Sequence, residues 1–95
     1  MFIIWDEPKR LANLHKHGLD FADVEDGFDF DNALALEAVT RGAGRQRVRL
    51  IGILFDEIVV AVIVSPLGRE ALSVVSLHPA SKKERALLWL DQNEN

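Results

Sequence analysis

The segment IVVAVIV at positions 58–64 constrains the fold more than any other part of this 95-residue chain. It is an unbroken apolar run rich in β-branched residues, which pack well in strands. It is far shorter than the ~20 residues that a membrane-crossing helix needs. A continuous apolar run of this length is typical of a strand that is covered on both faces. We therefore predict a sheet in which residues 58–64 form a central strand.

Short connections between the neighbouring segments predict how this sheet is arranged. Turn-forming residues occur in RGAG at 41–44, at Asp56-Glu57, and from Ser65 to Gly68. Connections of hairpin length join antiparallel strands. A mostly antiparallel sheet is therefore expected, with its other strands at 2–5, 33–39, 47–55 and 71–77.

Three helices are predicted from end signals and apolar spacing. Asp6 is a suitable N-cap and Gly18 a suitable left-handed residue after a helix that ends near His17. A short second helix should end near Gly27, and the capping box Ser81-x-x-Glu84 begins a last helix over 82–92. The first helix should carry a polar face of Lys9, Asn13, Lys16 and His17. The apolar residues of the three helical segments are expected to be buried: Leu11, Ala12, Leu14, Phe21, Val24, Phe28, Leu87, Trp89 and Leu90.

The predicted element order is β-α-α-β-β-β-β-α, a single α+β domain over residues 1–95. The chain has no cysteine, which excludes disulfides and thiolate metal sites. The first residues, MFIIWDEPKR, lack the features of a signal peptide, so a cytoplasmic protein without a membrane partner is expected.

Charge is unevenly distributed along the chain. The net charge of −4 disfavours a nucleic-acid partner on average. However, residues 20–32 contain six acids and no base, whereas basic residues cluster at 41–49 and 82–85. A basic patch on an acidic protein is therefore expected.

Several basic residues have both a structural and a functional explanation. Lys16 and His17 fall at a helix C-terminus, where cations complement the helix dipole. Arg45, Arg47 and Arg49 alternate along a strand and so share one face, which is either simply solvated or binds a phosphodiester backbone.

The end of the last strand offers a second candidate region. His78 precedes the last helix, and Lys82 and Lys83 in its first turn oppose the helix dipole unless that end faces phosphate. The spacing of His15 and His17 does not suit two metal ligands on one helix face, and the acidic segment lacks the pattern of a calcium loop. We expect neither a metal nor another cofactor.

Four motifs together resemble the BrnT family of small toxins from type II toxin–antitoxin pairs. They are W-D-x-x-K-x-x-x-N-x-x-K-H-G from Trp5 to Gly18, F-A at 21–22, R-x-x-x-I-G from Arg47 to Gly52, and V-S-x-x-x-A-S-K-K-E-R from Val75 to Arg85. The resemblance implies a RelE-like fold and a ribonuclease activity that inhibits translation, without a metal. It also implies a DNA-binding antitoxin as partner, and the hetero-oligomer of toxin and antitoxin represses its own operon. RNA is the implied substrate, either on the ribosome or free of it.

The resemblance carries over Lys16, His17 and Arg47, and it matches Glu84 and Arg85 to the Glu-Arg of the family's last helix. His78 is added by its chemistry, because an imidazole titrates near neutral pH. The catalytic candidates are Lys16, His17, Arg47 and His78, and the RNA-binding candidates are Arg45, Arg49, Lys82, Lys83 and Arg85. The chain departs from the family pattern where Ser76-Leu77-His78 replaces Ser-Ala-Arg, where Gln46 replaces a glutamate, and in having no tyrosine. These departures leave a second hypothesis open, in which the chain is a non-catalytic module that binds an antitoxin in a transcription-repressing complex.

Overall fold

The computed structural model describes residues 2–38 and 46–94, and it confirms the predicted order of elements. Arg45 and the predicted turn at 41–44 lie outside the described residues. The elements are β1 (Phe2–Trp5), α1 (Glu7–His17), α2 (Asp23–Gly27), β2 (Leu34–Ala38), β3 (Arg47–Leu54), β4 (Ile58–Leu67), β5 (Ala71–Pro79) and α3 (Lys82–Asn93). Within the described part of the chain, no helix is long and apolar enough to span a membrane.

The five strands form one sheet in the order β1-β5-β4-β3-β2. The apolar run of 58–64 lies in β4, which occupies the centre as predicted. The pairings β2–β3, β3–β4 and β4–β5 are antiparallel, and β1 pairs with β5 in parallel. Parallel pairing requires a long crossover connection, and the chain between β1 and β5 provides one.

Apolar residues cover both faces of this sheet. On one face, Phe21 and Val24 near α2 are fully buried against alternate residues of β4, including Val60 and Val62. On the other face, Leu88 of α3 packs with Ile51 and Ala80. The apolar cluster on the α3 face is the smaller of the two, so polar side chains occupy part of that face.

The predicted orientation of α1 is wrong. Leu11 and Leu14 are 52% and 36% exposed and Ala12 is also exposed, whereas Asn13 is buried. The backbone of β5 explains this, because β1 pairs only with Ala71 to Val74 and leaves the edge of Leu77 unpaired by a strand. The amide of Asn13 hydrogen-bonds both backbone groups of Leu77 there, so it turns the polar face of α1 toward the sheet.

The predicted orientation of α3 is also partly wrong. Trp89 and Leu90 are 64% and 57% exposed, Leu87 is half-buried, and the buried residues are Glu84 and Leu88. Glu84 and Leu88 are four residues apart and therefore lie on one helix face. The hydrogen bonds of Glu84 hold that face against the sheet, as described below.

The strand β4 is longer than predicted and includes Ser65 and Pro66, which we assigned to a turn. The pairing of β3 with β4 ends at Val64, so the missing N–H of Pro66 removes no hydrogen bond from β3. The turn instead occupies residues 68–70, where Gly68 has a φ of +64° that glycine adopts without strain.

Candidate functional site

Two histidines meet where α1 ends beside β5. His17 is the last residue of α1, and Gly18 ends the helix with a φ of +70°. The ring of His17 lies 5.8 Å from the ring of His78, measured between centroids, with the planes tilted by 41°. The sequence separates these histidines by 61 positions, and the packing of α1 along β5 brings them together.

Glu84 organises the other side of His78. One carboxylate oxygen, Oε1, accepts a hydrogen bond from the backbone N–H of Ser81 at 2.8 Å and lies 4.0 Å from Nε2 of His78. The other, Oε2, accepts a 3.0 Å hydrogen bond from Arg49. The capping box predicted from the sequence is present, and the same glutamate therefore links α3, β3 and β5.

Strand register defines which arginines share this face. His78 is opposite Ala61, and Ala61 is opposite Ile51, so these three side chains point to one side of the sheet. Arg47 and Arg49 point to the same side as Ile51 because side chains alternate along a strand. Arg49 contacts Glu84, whereas Arg47 lies two residues farther from His78 and is exposed.

The surroundings of His17 and Glu84 shift the pKa values of both side chains. Burial lowers the pKa of His17 below its usual 6.5, and the charges of Lys16 and His78 lower it further. These effects favour the neutral form of His17, which can accept a proton. Burial by itself raises the pKa of Glu84, but hydrogen bonds from Ser81 and Arg49 outweigh it, so the pKa is lowered and Glu84 is ionised.

A shallow groove of about 300 Å³ continues from the histidine pair along α1. It runs along the line where the polar face of the helix meets β5. Its lining residues are Lys9, Ala12, Asn13, Lys16, His17, Val75 and Ser76. Lys16 thus lines the groove together with its neighbour His17.

The remaining candidates surround this region less closely. Lys82, Lys83 and Arg85 are exposed in the first turn of α3, on either side of the inward-facing Glu84. The sequence identified Glu84 as a capping residue and as part of the last family motif, but Glu84 was not included among the site residues. Its capping function sufficed to explain a glutamate at the third helical position.

Within the part of the chain that the structure describes, no group of three His, Cys, Asp or Glu side chains is arranged to hold a metal ion. The polar groups that converge on one place are two imidazoles, one carboxylate and one guanidinium, given by His17, His78, Glu84 and Arg49. Paired imidazoles with adjacent cations suit proton transfer on an anionic substrate such as a phosphodiester.

The fold is that of a small α+β protein, and comparisons with known proteins specify its class. Residues 5–84 match the family described as ribonuclease toxin, BrnT, of type II toxin-antitoxin system. The crystal structure of the Brucella abortus ribonuclease toxin BrnT superposes with a TM-score of 0.65 at 47% sequence identity, covering 86% of this chain and 99% of that one. A comparison with curated proteins gives no match.

The chain belongs to the BrnT family of ribonuclease toxins of type II toxin–antitoxin systems. Membership confirms the resemblance seen in the sequence and the α+β fold. It also gives RNA as the substrate class and an antitoxin as the partner of the family.

Proposed function

We propose that this chain cleaves RNA without a metal, by attack of a 2′-hydroxyl on the adjacent phosphate. The observation that carries the proposal is the His17–His78 pair, whose 5.8 Å separation lets one phosphodiester contact both rings. General acid–base catalysis by positioned groups contributes about 10²–10⁴-fold to such a reaction.

The roles of the two histidines follow from their surroundings. His17 has a lowered pKa and takes the proton from the 2′-hydroxyl as the 2′-oxygen bonds to phosphorus. His78, which lies 4.0 Å from the Glu84 carboxylate, donates a proton to the 5′-oxygen as the phosphorus–oxygen bond to it breaks. The products are a 2′,3′-cyclic phosphate and a 5′-hydroxyl end, and the protons balance over the step.

Basic side chains supply the charge stabilisation that a phosphorane-like transition state requires. Lys16 and Arg47 are the proposed catalytic cations, and Arg49 is held near His78 by Glu84. Lys82, Lys83 and Arg85 are proposed to bind flanking RNA, because they are exposed on the same end of α3 as Glu84.

We further propose that this chain assembles with a DNA-binding antitoxin into a hetero-oligomer and acts on RNA in the cytoplasm. The exposed apolar side chains of α1 and α3, Leu11, Leu14, Trp89 and Leu90, provide area that such a partner can cover. A non-catalytic antitoxin-binding module is the alternative, favoured by the histidine at position 78 where the family pattern has arginine.

Cleavage of RNA by the purified protein in the presence of a chelator tests the proposal. We expect His17→Ala and His78→Ala to reduce the rate by about 10²-fold or more. The matched control is His15→Ala, because His15 is an exposed histidine of the same helix and does not line the groove. Wild-type cleavage that survives both substitutions would refute the site, and binding of the antitoxin without any cleavage would support the alternative.

A further inference from the structure

The groove along α1 extends beyond the histidine pair, and nothing in the reaction proposed above uses its far end. We propose that it is a binding subsite for the backbone of single-stranded RNA, in which Lys9 binds a second phosphate of the strand that is cleaved. This inference rests on the proposed ribonuclease function and assigns a role to Lys9, which the sequence analysis placed on a polar helix face and in the first family motif without a role.

The local structure keeps the groove open and its polar side inward. The Nδ2 group of Asn13 donates to the backbone oxygens of Leu77 at 2.7 Å and Leu19 at 3.1 Å, and its Oδ1 accepts from the N–H of Leu77 at 3.1 Å. Asn13 therefore fixes α1 against β5 and has its polar atoms already paired. Ala12, which has a small side chain, also lines the groove.

The charges of α1 indicate an anionic ligand. Arg10 is paired with both Glu7 and Asp20, and these contacts raise its pKa. Among the described residues, neither Lys9 nor Lys16 has a carboxylate oxygen within 4.0 Å. What distinguishes these two lysines from the other basic residues without an ion pair in the described part of the chain is that both line the same groove.

The spacing of the two lysines suits a ligand with repeated charges. Lys16 is next to His17, and Lys9 lies seven residues earlier, which is roughly 10 Å along the helix axis. A ligand that contacts His17 and His78 and continues toward Lys9 must therefore carry a further negative charge about two helical turns away. A flexible single strand of RNA meets this requirement and also leaves its 2′-hydroxyl free to attack.

The test measures binding of a short, fully 2′-O-methylated RNA strand, which lacks the attacking hydroxyl, across a series of salt concentrations. For single strands, each phosphate contact adds about 0.7 to the slope of log affinity against log salt. We expect Lys9→Ala to reduce that slope by about 0.7 and to weaken binding about two- to fivefold at low salt. Lys9→Arg should restore both values.

Arg69→Ala is the matched control, because it removes one positive charge from the turn at the opposite end of β5. We expect its slope and affinity to equal those of the wild type. If Lys9→Ala changes neither value while the wild type binds and cleaves RNA, the subsite is wrong and the proposed function stands. If the wild type neither binds nor cleaves RNA, the proposed function fails and the subsite fails with it.

Discussion

The orientation of α1 allows a sharp test, because the apolar pattern of the helix and its packing in the structure give opposite expectations. The pattern predicts that replacing Leu11 is costly and replacing Asn13 is harmless. In the structure, Leu11 is 52% exposed, whereas Asn13 is 9% exposed and carries three hydrogen bonds to backbone groups. The substitutions Asn13→Ala and Leu11→Ala therefore separate the two interpretations.

The loss in free energy of unfolding expected for Asn13→Ala follows from the backbone groups that the substitution leaves unpaired. The N–H and C=O of Leu77 are both buried at this contact, and each unsatisfied buried group costs about 1–3 kcal/mol. The higher helix propensity of alanine returns less than about 1 kcal/mol. We expect Asn13→Ala to lower the free energy of unfolding by about 2–4 kcal/mol, and Leu11→Ala to change it by less than about 1 kcal/mol.

Urea denaturation of the two variants, followed by circular dichroism, measures this difference. Unchanged m-values would show that the midpoints report stability. A Leu11→Ala variant destabilised as much as Asn13→Ala would refute the packing of the polar face of α1 against β5. It would also remove the physical basis for the groove and for the position of His17.

Three further predictions concern α3 and the site. Leu88→Ala should cost about 2–4 kcal/mol and Trp89→Ala less than about 1 kcal/mol, measured by urea denaturation, since Leu88 is buried and Trp89 exposed. Glu84→Gln and Arg49→Met should each slow RNA cleavage, and a double-mutant cycle on the rate should show that their effects are not additive, because the two side chains are paired. Burial lowers the pKa of His17 below 6.5, so the unfolded chain binds this proton more readily. The stability contribution of the neutral ring should be complete above pH 6.5 and decrease as the pH falls through that value, and His17→Gln should flatten this dependence in unfolding curves.

The sequence by itself determined the element order, the central position of β4 and the family. Each of these depends on local signals, such as the β-branched run, the glycine after α1 and the capping box, or on motifs that run in order along the chain. The antiparallel pairing of the four later strands also followed, because hairpin-length connections leave few alternatives for neighbouring strands. The parallel pairing of β1 with β5 did not follow from the sequence.

Only the tertiary structure decided which faces of α1 and α3 are buried. Apolar periodicity assumes that the core attracts the apolar face, but two polar residues with strong backbone or ionic partners override it here. Asn13 pairs with the open edge of β5, and Glu84 pairs with Ser81 and Arg49, so hydrogen-bond satisfaction fixes both helices.

The same limit applies to the site. The sequence proposed His17, His78 and the strand arginines separately, by chemistry and resemblance. Their distances depend on how α1 follows the edge of β5 and on how α3 returns over β3, which are long-range contacts. Because side-chain alternation defines a face but not a distance, only the folded chain brings His17 to His78 and connects His78 through Glu84 to Arg49.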